Sequence, residues 1–244
     1  MRYTFYGDLL GISGLYRLSP HLAYQKLNEF YNTTFQNIDE NWCEESDTQI
    51  MMFSDSFFMW GNDAEGALLQ LSNLYLSLLR KGLLLRGAIV DGLLQFDPRL
   101  ERKNFRKMLP EDDTLARAVG LESTHKGARL LVEGALANKL LDEYENWLTF
   151  DGYIRHRVPD SIIPCESVLR RISPTPEGFS YEFLYFWECN GAMNPEEMDY
   201  NARISELSAI QSMLKDEVGI HYQETVKLIK RSKSRHEHTA AHVA

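Results

Sequence analysis

The sequence predicts an α/β or α+β domain, and three observations support this class. Apolar patterns typical of strands and of helices alternate over residues 1–132. The 244 residues, 44% hydrophobic and 25% charged, suit one large globular domain or a catalytic domain with an appended helical segment. The longest apolar run, Lys81–Phe96, is interrupted by Arg86 and Asp91, so we expect no membrane span.

The first predicted elements are a strand, a helix and a hairpin. Aromatic residues indicate a short strand at Arg2–Asp8, and apolar residues at helical spacing predict a helix over Leu22–Ile38, which a Ser-Pro pair begins. The polar and acidic segment Asp39–Asp47 is predicted to be a loop. Gln49–Trp60 is apolar except around Asp55, which favours a hairpin with Asp55 in its turn.

A helix, a strand and a second helix follow. Asp63 is a plausible N-cap for a leucine-rich helix that ends at Gly82. Leu83–Phe96 is typical of a long strand or a strand pair, and the charged segment Asp97–Asp113 of an exposed connection. Asp113–Ser123 is predicted to be a helix, with an apolar face made by three residues: Leu115, Val119 and Leu121.

The remaining chain continues this alternation and then becomes helical. Ala128–Val132 is a predicted strand that leads into a helix ending near Leu141. Short aromatic-rich strands are expected over Trp147–Glu188. A long helix is predicted from Glu196 to about Ile229, with a break at Gly219.

Charge and cysteine content limit the classes of protein that fit. A formal charge of −9 and a pI near 5.3 exclude a broadly basic surface for nucleic acid. The N-terminal residues lack the apolar core and cleavage site of a signal peptide. Cys43, Cys165 and Cys189 lie far apart and fit buried thiols better than a disulfide or a zinc site. We therefore expect a cytoplasmic protein with no nucleic-acid or membrane partner.

Two aspartates, Asp8 and Asp55, lie inside apolar stretches where strands are expected. A carboxylate removed from water costs several kcal/mol without compensation, and two on neighbouring strands would repel each other. A divalent cation between them removes both costs, and oxygen ligands suit magnesium or manganese. The alternative is that each Asp begins a turn: Asp8 before Gly11, and Asp55 at the hairpin tip.

Four segments, in order and with helix-sized spacers, resemble the motifs of class III nucleotide cyclases. Tyr6–Leu15 is similar to the first metal-binding motif of that family, and Phe53–Phe58 to the second, whose glycine position here holds a serine. Leu85–Gly92 resembles the family's arginine-containing strand. Leu115–Glu122, followed by Arg129–Val132, resembles the helix and strand that carry its transition-state residues.

The resemblance implies an α+β fold with a ferredoxin-like βαββαβ cyclase core over residues 1–135. We expect residues 136–230 to form a C-terminal α/β extension of the same domain and residues 231–244 to be a disordered tail. The resemblance also implies a head-to-tail homodimer with active sites between the protomers.

The resemblance further assigns residues to the site. Asp8, the carbonyl of Leu9 and Asp55 would bind two Mn²⁺ or Mg²⁺ ions in each active site. The backbone of the following turn would hold the β- and γ-phosphates of the substrate, through Leu10, Gly11, Ile12 and Ser13.

Three positions that carry a functional side chain in the family also depart from its pattern. The adenine-reading lysine corresponds to Met51, and the transition-state asparagine and arginine to Ala116 and Gly120. Apolar Ile50 and Met51 could narrow the base pocket. Three arginines could supply the missing catalytic charge: Arg117, Arg86 and Arg99.

The phrase FYGDLLGIS and the short stand-alone domain are most similar to the pyrimidine cyclases of the bacterial Pycsar anti-phage system. This resemblance implies conversion of UTP to cyclic UMP and pyrophosphate, by attack of the ribose 3′-oxygen on the α-phosphate. The product would activate a downstream effector protein. The alternatives are a cytidylate cyclase making cyclic CMP and a catalytically silent module that binds a nucleotide or a protein. A polymerase-type palm domain fits the acidic chain less well.

Overall fold

The computed structural model describes residues 1–97, 108–144, 147–150, 153–157, 166–175, 178–184, 200–213 and 216–243. The strands are β1 (Tyr3–Leu9), β2 (Gln49–Phe53), β3 (Ser56–Gly61), β4 (Leu85–Asp91), β5 (Leu130–Val132), β6 (Trp147–Phe150), β7 (Tyr153–Arg157), β8 (Glu166–Thr175) and β9 (Gly178–Phe183). The helices are α1 (Ile12–Leu18), α2 (Pro20–Asn37), α3 (Glu40–Glu45), α4 (Ala64–Arg80), α5 (Thr114–Ser123), α6 (Gly134–Glu143), α7 (Tyr200–Met213) and α8 (Asp216–Val243).

The first four strands have the ferredoxin-like arrangement that the resemblance implies. They lie in the order β4-β1-β3-β2, and every neighbouring pair is antiparallel. Helix α2 lies between β1 and β2 in the chain, and α4 between β3 and β4, which makes the βαββαβ order. The predicted α+β class is confirmed. Strand β5 then adds to this sheet, parallel to β4.

The predicted starts of α2 and α4 are confirmed. The Ser19 hydroxyl accepts a hydrogen bond from the Leu22 amide at 3.3 Å, and Pro20 occupies the first turn of α2. The Asp63 carboxylate accepts one from the Gly66 amide at 3.1 Å and so caps α4. Both helices therefore begin where a side chain replaces the missing backbone acceptor.

The main hydrophobic core lies on one face of the sheet, under α2 and α4. Phe5 and Phe57 from the strands and Leu68, Leu71 and Leu78 from α4 are fully buried in one cluster. Burial of large side chains on this scale stabilises the fold by roughly 1.5–3 kcal/mol for each of them. This packing holds β1 and β3 side by side.

The acidic segment 39–47 is not the loop that we predicted. Glu40–Glu45 forms the short helix α3, because the Asp39 side chain accepts a hydrogen bond from the Asn41 amide at 2.9 Å. An acidic residue is favourable at the N-terminus of a helix. Local capping therefore outweighs the polar composition of this segment.

Helix α5 turns a different face inward from the one that we predicted. Val119 is 39% exposed, although Leu121 does pack against the small second cluster that Ala88 and Leu131 form. The residues that α5 buries are spaced by four: Thr114, Ala118 and Glu122. A charged side chain thus lies on the buried face of α5.

The connection after β4 is not wholly exposed as predicted. Asp97 is buried, and its amide donates a hydrogen bond to the Leu109 carbonyl at 2.9 Å. Phe96 also pairs with Pro110. Residues 98–107 lie outside the described part of the chain, and Arg99 is among them.

The C-terminal extension widens the sheet. Strand β9 pairs antiparallel with β5, and β8, β7 and β6 follow in a meander. We predicted a helix break at Gly219, but this residue lies inside α8. Helix α8 continues to Val243, into the segment 231–244 for which we expected a disordered tail. The segment is rich in good helix formers, namely lysine, arginine, glutamate and alanine.

Two further predictions concern cysteines and membranes. Cys43 is a free thiol, partly exposed rather than buried, and Cys165 and Cys189 lie outside the described residues. Among the described helices, none combines the length and the apolar character needed to cross a bilayer.

Candidate active site

Asp8 and Asp55 are brought together by the pairing of β1 with β3. Asp8 is the next-to-last residue of β1 and lies opposite Ser56, the first residue of β3. Asp55 is in the hairpin turn before that strand, and its carbonyl accepts a hydrogen bond from the Leu9 amide at 2.9 Å. Ser54 adopts a φ of 56°, the left-handed conformation that glycine would favour. The predicted convergence of the two aspartates is therefore present in the fold.

The electrostatics of this pair favour a cation. Burial raises the pKa of Asp8 to about 6, the neighbouring charge of Asp55 adds to this rise, and Arg86 opposes it. Two carboxylates and the nearby Leu9 backbone offer the oxygen donors that Mg²⁺ and Mn²⁺ prefer. Among the described residues, no group of three or more His, Cys, Asp and Glu side chains could hold a metal ion.

The turn after β1 joins the strand to helix α1. Gly11 adopts a φ of 88°, and within the described residues no side chain caps this end of α1. The buried Ile12 side chain anchors the turn in the main core. The Leu10 amide already donates to the Leu84 carbonyl at 2.8 Å, so it is not free for a phosphate as predicted. The amides of the first turn of α1, including that of Ser13, have no acceptor within the helix.

Arg86 is the one predicted arginine that the described structure places beside Asp8. The two residues lie directly opposite each other on β4 and β1. The Arg86 guanidinium forms an ion pair with Glu122, a buried residue of α5. Burial raises the pKa of Glu122, the charge of Arg86 lowers it, and Asp8 raises it further. The sequence analysis missed Glu122 because its role depends on which face of α5 is buried.

Arg117 lies at the other end of the sheet from Asp8. Its guanidinium donates to Asp113 at 3.2 Å, to Glu133 at 2.5 Å and to the Asp91 carbonyl at 2.7 Å. Asp91 pairs with Tyr3, at the start of β1 rather than at its end. Within one chain, the structure does not bring Arg117 to the candidate site.

The two residues predicted to narrow the base pocket lie on opposite faces of the sheet. Met51 is opposite Phe58, which is opposite Tyr6, so Met51 shares the face of Asp8. The Tyr6 and Phe58 rings pack at 5.3 Å. Ile50 is opposite the buried Met59 and so faces away from Asp8. The joint role predicted for Ile50 and Met51 is therefore wrong for Ile50.

Comparisons with known proteins identify the fold. The structure is similar to that of the guanylyl cyclase Cya2, with a TM-score of 0.51 and 12% identity, over 79% of this chain and 94% of that one. It is also similar to the guanylate cyclase domain of RhGC from Catenaria anguillulae in complex with GTP. Here the TM-score is 0.50 and the identity 10%, over 75% of this chain and 94% of that one. A third similar structure is that of the adenylyl cyclase CyaB from P. aeruginosa. Here the TM-score is 0.50 and the identity 14%, over 79% of this chain and 96% of that one.

This is the class III nucleotide cyclase fold. No family model and no curated protein sequence matches the chain. At 10–14% identity the likeness is one of fold, and it agrees with the arrangement implied by the four sequence motifs.

Helix α8 also comes close to the candidate site, since the charge of Arg86 acts on His221. His221 Nδ1 accepts a hydrogen bond from the Gly127 amide at 3.3 Å. Burial lowers the pKa of His221 to about 4, and the charges of Arg86 and Lys126 lower it further. The sequence analysis had no signal for this, because the contact joins segments 94 residues apart.

Proposed function

We propose that this chain is a nucleotide cyclase whose metal ligands are Asp8 and Asp55. One observation carries the proposal: within a cyclase fold, the end of β1 and the tip of the β2–β3 hairpin bring two acidic residues together. The partly buried Asp8 is strained electrostatically by Asp55, which a cation would relieve. Asp8, Asp55 and the Leu9 carbonyl fit two Mn²⁺ or Mg²⁺ ions, which prefer oxygen ligands.

In the proposed reaction, the ribose 3′-oxygen of a nucleoside triphosphate attacks its own α-phosphorus. The new P–O bond closes the cyclic phosphodiester, the bond from the α-phosphorus to the bridging oxygen breaks, and pyrophosphate leaves. The 3′-hydroxyl proton is lost to solvent. Divalent cations in such a site lower the pKa of the 3′-hydroxyl and neutralise the triphosphate.

The chain's own residues would align the substrate and stabilise its charge. The amides from Gly11 to Ser13 would donate to phosphate oxygens, as uncapped amides of a first helical turn do. Arg86 is the arginine best placed to stabilise charge on the reacting phosphate, because it is opposite Asp8. Glu122 holds the Arg86 side chain in place. Phosphoryl transfer needs mainly such alignment and charge stabilisation.

We further propose a pyrimidine substrate, with UTP favoured and CTP as the alternative. Met51 replaces the lysine that would contact a purine, and it lies on the Asp8 face beside Phe58. An apolar side chain at this position would narrow the base pocket, and it has no ammonium group to donate a hydrogen bond to a purine. The similarity of FYGDLLGIS to pyrimidine cyclases supports the same choice.

The proposed cellular role follows from this substrate. Cyclic UMP would be a second messenger in anti-phage defence, made in the cytoplasm and recognised by a separate effector protein.

We propose a homodimer with active sites between protomers, in which α5 of one protomer would face the metal ligands of the other. In such a dimer, Arg117 would need to leave three hydrogen-bond acceptors to act on the partner's substrate.

A catalytically silent cyclase-like module is the second candidate. Arg117 is held by two carboxylates and a carbonyl, and the neighbouring positions hold Ala116 and Gly120, which have no charge to offer. This candidate predicts nucleotide binding without turnover.

One assay separates these functions. Purified protein is incubated with Mn²⁺ and equal concentrations of the four ribonucleoside triphosphates, and the products are separated and identified by mass. We expect cyclic UMP and pyrophosphate, and nearly no product from Asp8→Ala or Asp55→Ala. Preferential cyclic AMP or cyclic GMP would refute the pyrimidine proposal, and nucleotide binding without any cyclic product would favour the silent module.

A further inference from the structure

Helix α8 is fixed tightly against the segment that enters β5. Gly127 adopts a φ of 98°, and a Cβ atom there would lie 3.0 Å from Glu224 Cβ and from the Thr225 amide nitrogen. Three hydrogen bonds join the two segments: Gly127 N to His221 Nδ1 at 3.3 Å, Ala128 N to Thr225 Oγ1 at 2.9 Å, and Arg129 Nη2 to Glu224 Oε2 at 2.6 Å. The position of residues 221–225 is therefore well determined relative to the sheet.

This attachment places Tyr222 over the turn that follows Asp8. A Cβ atom on Gly11 would be 3.9 Å from the Tyr222 hydroxyl oxygen, so the hydroxyl lies just above that turn. The Tyr222 ring packs against the main core, as Leu10 and Leu15 also do. The hydroxyl thus projects from a ring held by packing toward the residues proposed to bind phosphate.

The Tyr222 hydroxyl has no hydrogen-bond partner among the described residues. Burial alone raises the pKa of Tyr222, so the hydroxyl keeps its proton at neutral pH. The hydroxyl is therefore able to donate a hydrogen bond to a bound ligand. A ligand at the Gly11 turn would supply the missing acceptor.

We propose that Tyr222 is a substrate-binding residue whose hydroxyl donates a hydrogen bond to a phosphate oxygen of the nucleoside triphosphate at the Gly11 turn. The inference rests on the proposed function and makes α8 an integral part of the site. A phenol suits this task, because it donates to an anionic oxygen without adding a charge of its own.

The test removes only the hydroxyl. For Tyr222→Phe we expect kcat/KM to fall roughly tenfold or more, as loss of one hydrogen bond to a charged group predicts. The inhibition constant of inorganic tripolyphosphate should rise by a similar factor, because the contact is to phosphate. The melting temperature should not fall, since the ring and its packing remain.

Tyr144→Phe is the matched control. Tyr144 is also a partly buried tyrosine that packs against the main core, and burial raises its pKa. It lies beside Asp63 and Glu65, away from the Gly11 turn. We expect its kinetics and its tripolyphosphate inhibition to match those of the wild type.

The outcomes distinguish this inference from the proposed function. If the wild type makes cyclic nucleotide and Tyr222→Phe is as active as it, the inference alone is wrong. If Tyr222→Phe loses activity while tripolyphosphate inhibition is unchanged, a phosphate contact is refuted. If the wild type makes no cyclic nucleotide, the proposed function fails and this inference fails with it.

Discussion

Asp8 is destabilised in its charged form by two conditions, partial burial and the nearby charge of Asp55. Its pKa in the metal-free folded chain, about 6, lies above the ordinary value of 3.8 that applies when the chain is unfolded. The folded state therefore binds more protons between these values. Stability of the metal-free protein should fall as the pH rises from about 4 through about 6.

Asp8→Asn should consequently stabilise the metal-free protein at high pH. We expect a gain of about 1–2 kcal/mol at pH 8 in EDTA, a figure lowered for the partial exposure of the side chain. The gain should disappear near pH 4.5, where Asp8 of the folded wild type is protonated. Urea unfolding at the two pH values measures both.

Manganese provides the control for this prediction. Excess Mn²⁺ at pH 8 should stabilise the wild type and leave Asp8→Asn nearly unchanged, because binding to the folded state alone adds stability. A variant less stable than the wild type in EDTA at pH 8 would contradict the electrostatic account of Asp8.

Residues of the site differ in how visible they are from the sequence. Asp8 and Asp55 could be predicted because each interrupts an apolar strand, a purely local signal. Glu122 and Tyr222 could not, since both lie in helices and their contacts are with distant parts of the chain. Ile50 was misassigned because neighbouring residues of a strand point to opposite faces.

At the scale of elements, α5 is joined to β4 and α6 through Arg117. The side chain of Glu133, which the guanidinium contacts, also accepts a hydrogen bond from the Asp91 amide at 2.9 Å. Removing the arginine would leave the Glu133 carboxylate and the Asp91 carbonyl without this donor. The structure thus gives Arg117 a structural role that the sequence analysis did not consider.

Arg117→Ala should therefore reduce stability more than catalysis. We expect a loss of about 1–3 kcal/mol in urea unfolding, with kcat of the folded protein changed less than roughly threefold. Glu133→Gln, which removes the partner's charge, should lower stability in the same direction. A stable Arg117→Ala protein with kcat reduced a hundredfold would instead restore the catalytic role predicted from the sequence.

Helix α8 depends on close contact at Gly127. Gly127→Ala should cost about 1–3 kcal/mol, because the alanine is strained at positive φ and meets the backbone of α8. Gly14→Ala is the matched control, since nothing lies within 4 Å of a Cβ atom there and the residue is inside α1. That change should be neutral or stabilise by up to about 1 kcal/mol. Equal stability of the two variants would refute the tight seating of α8.

Elements with local signals were predicted well, and those without were not. The hairpin around Asp55 and the caps at Ser19 and Asp63 rest on neighbouring residues, and the structure confirms them. Helix α3 was missed because the polar composition of the segment favoured a loop, although Asp39 caps the helix. The buried face of α5 was wrong because an ion pair with Arg86, distant in the chain, places Glu122 inside.

At the scale of the whole molecule, the order of elements was enough to predict the α+β class. The βαββαβ order and the four motifs led to the cyclase arrangement that the solved cyclases share. The pairing of β9 with β5 could not be predicted, because no local pattern states which strand a later strand will join. That pairing also helps to position α8, because Glu182 of β9 contacts both Arg129 and Arg231.

The measurement that tests the central claim most directly is a titration with Mn²⁺, followed by electron paramagnetic resonance, in the presence of a non-hydrolysable UTP analogue. We predict saturable Mn²⁺ binding by the wild type and at least about tenfold weaker binding by Asp55→Asn, because one of the two ligating carboxylates is gone. Equal binding by the two proteins, or none by the wild type, would contradict the claim that Asp8 and Asp55 together hold the metal ions.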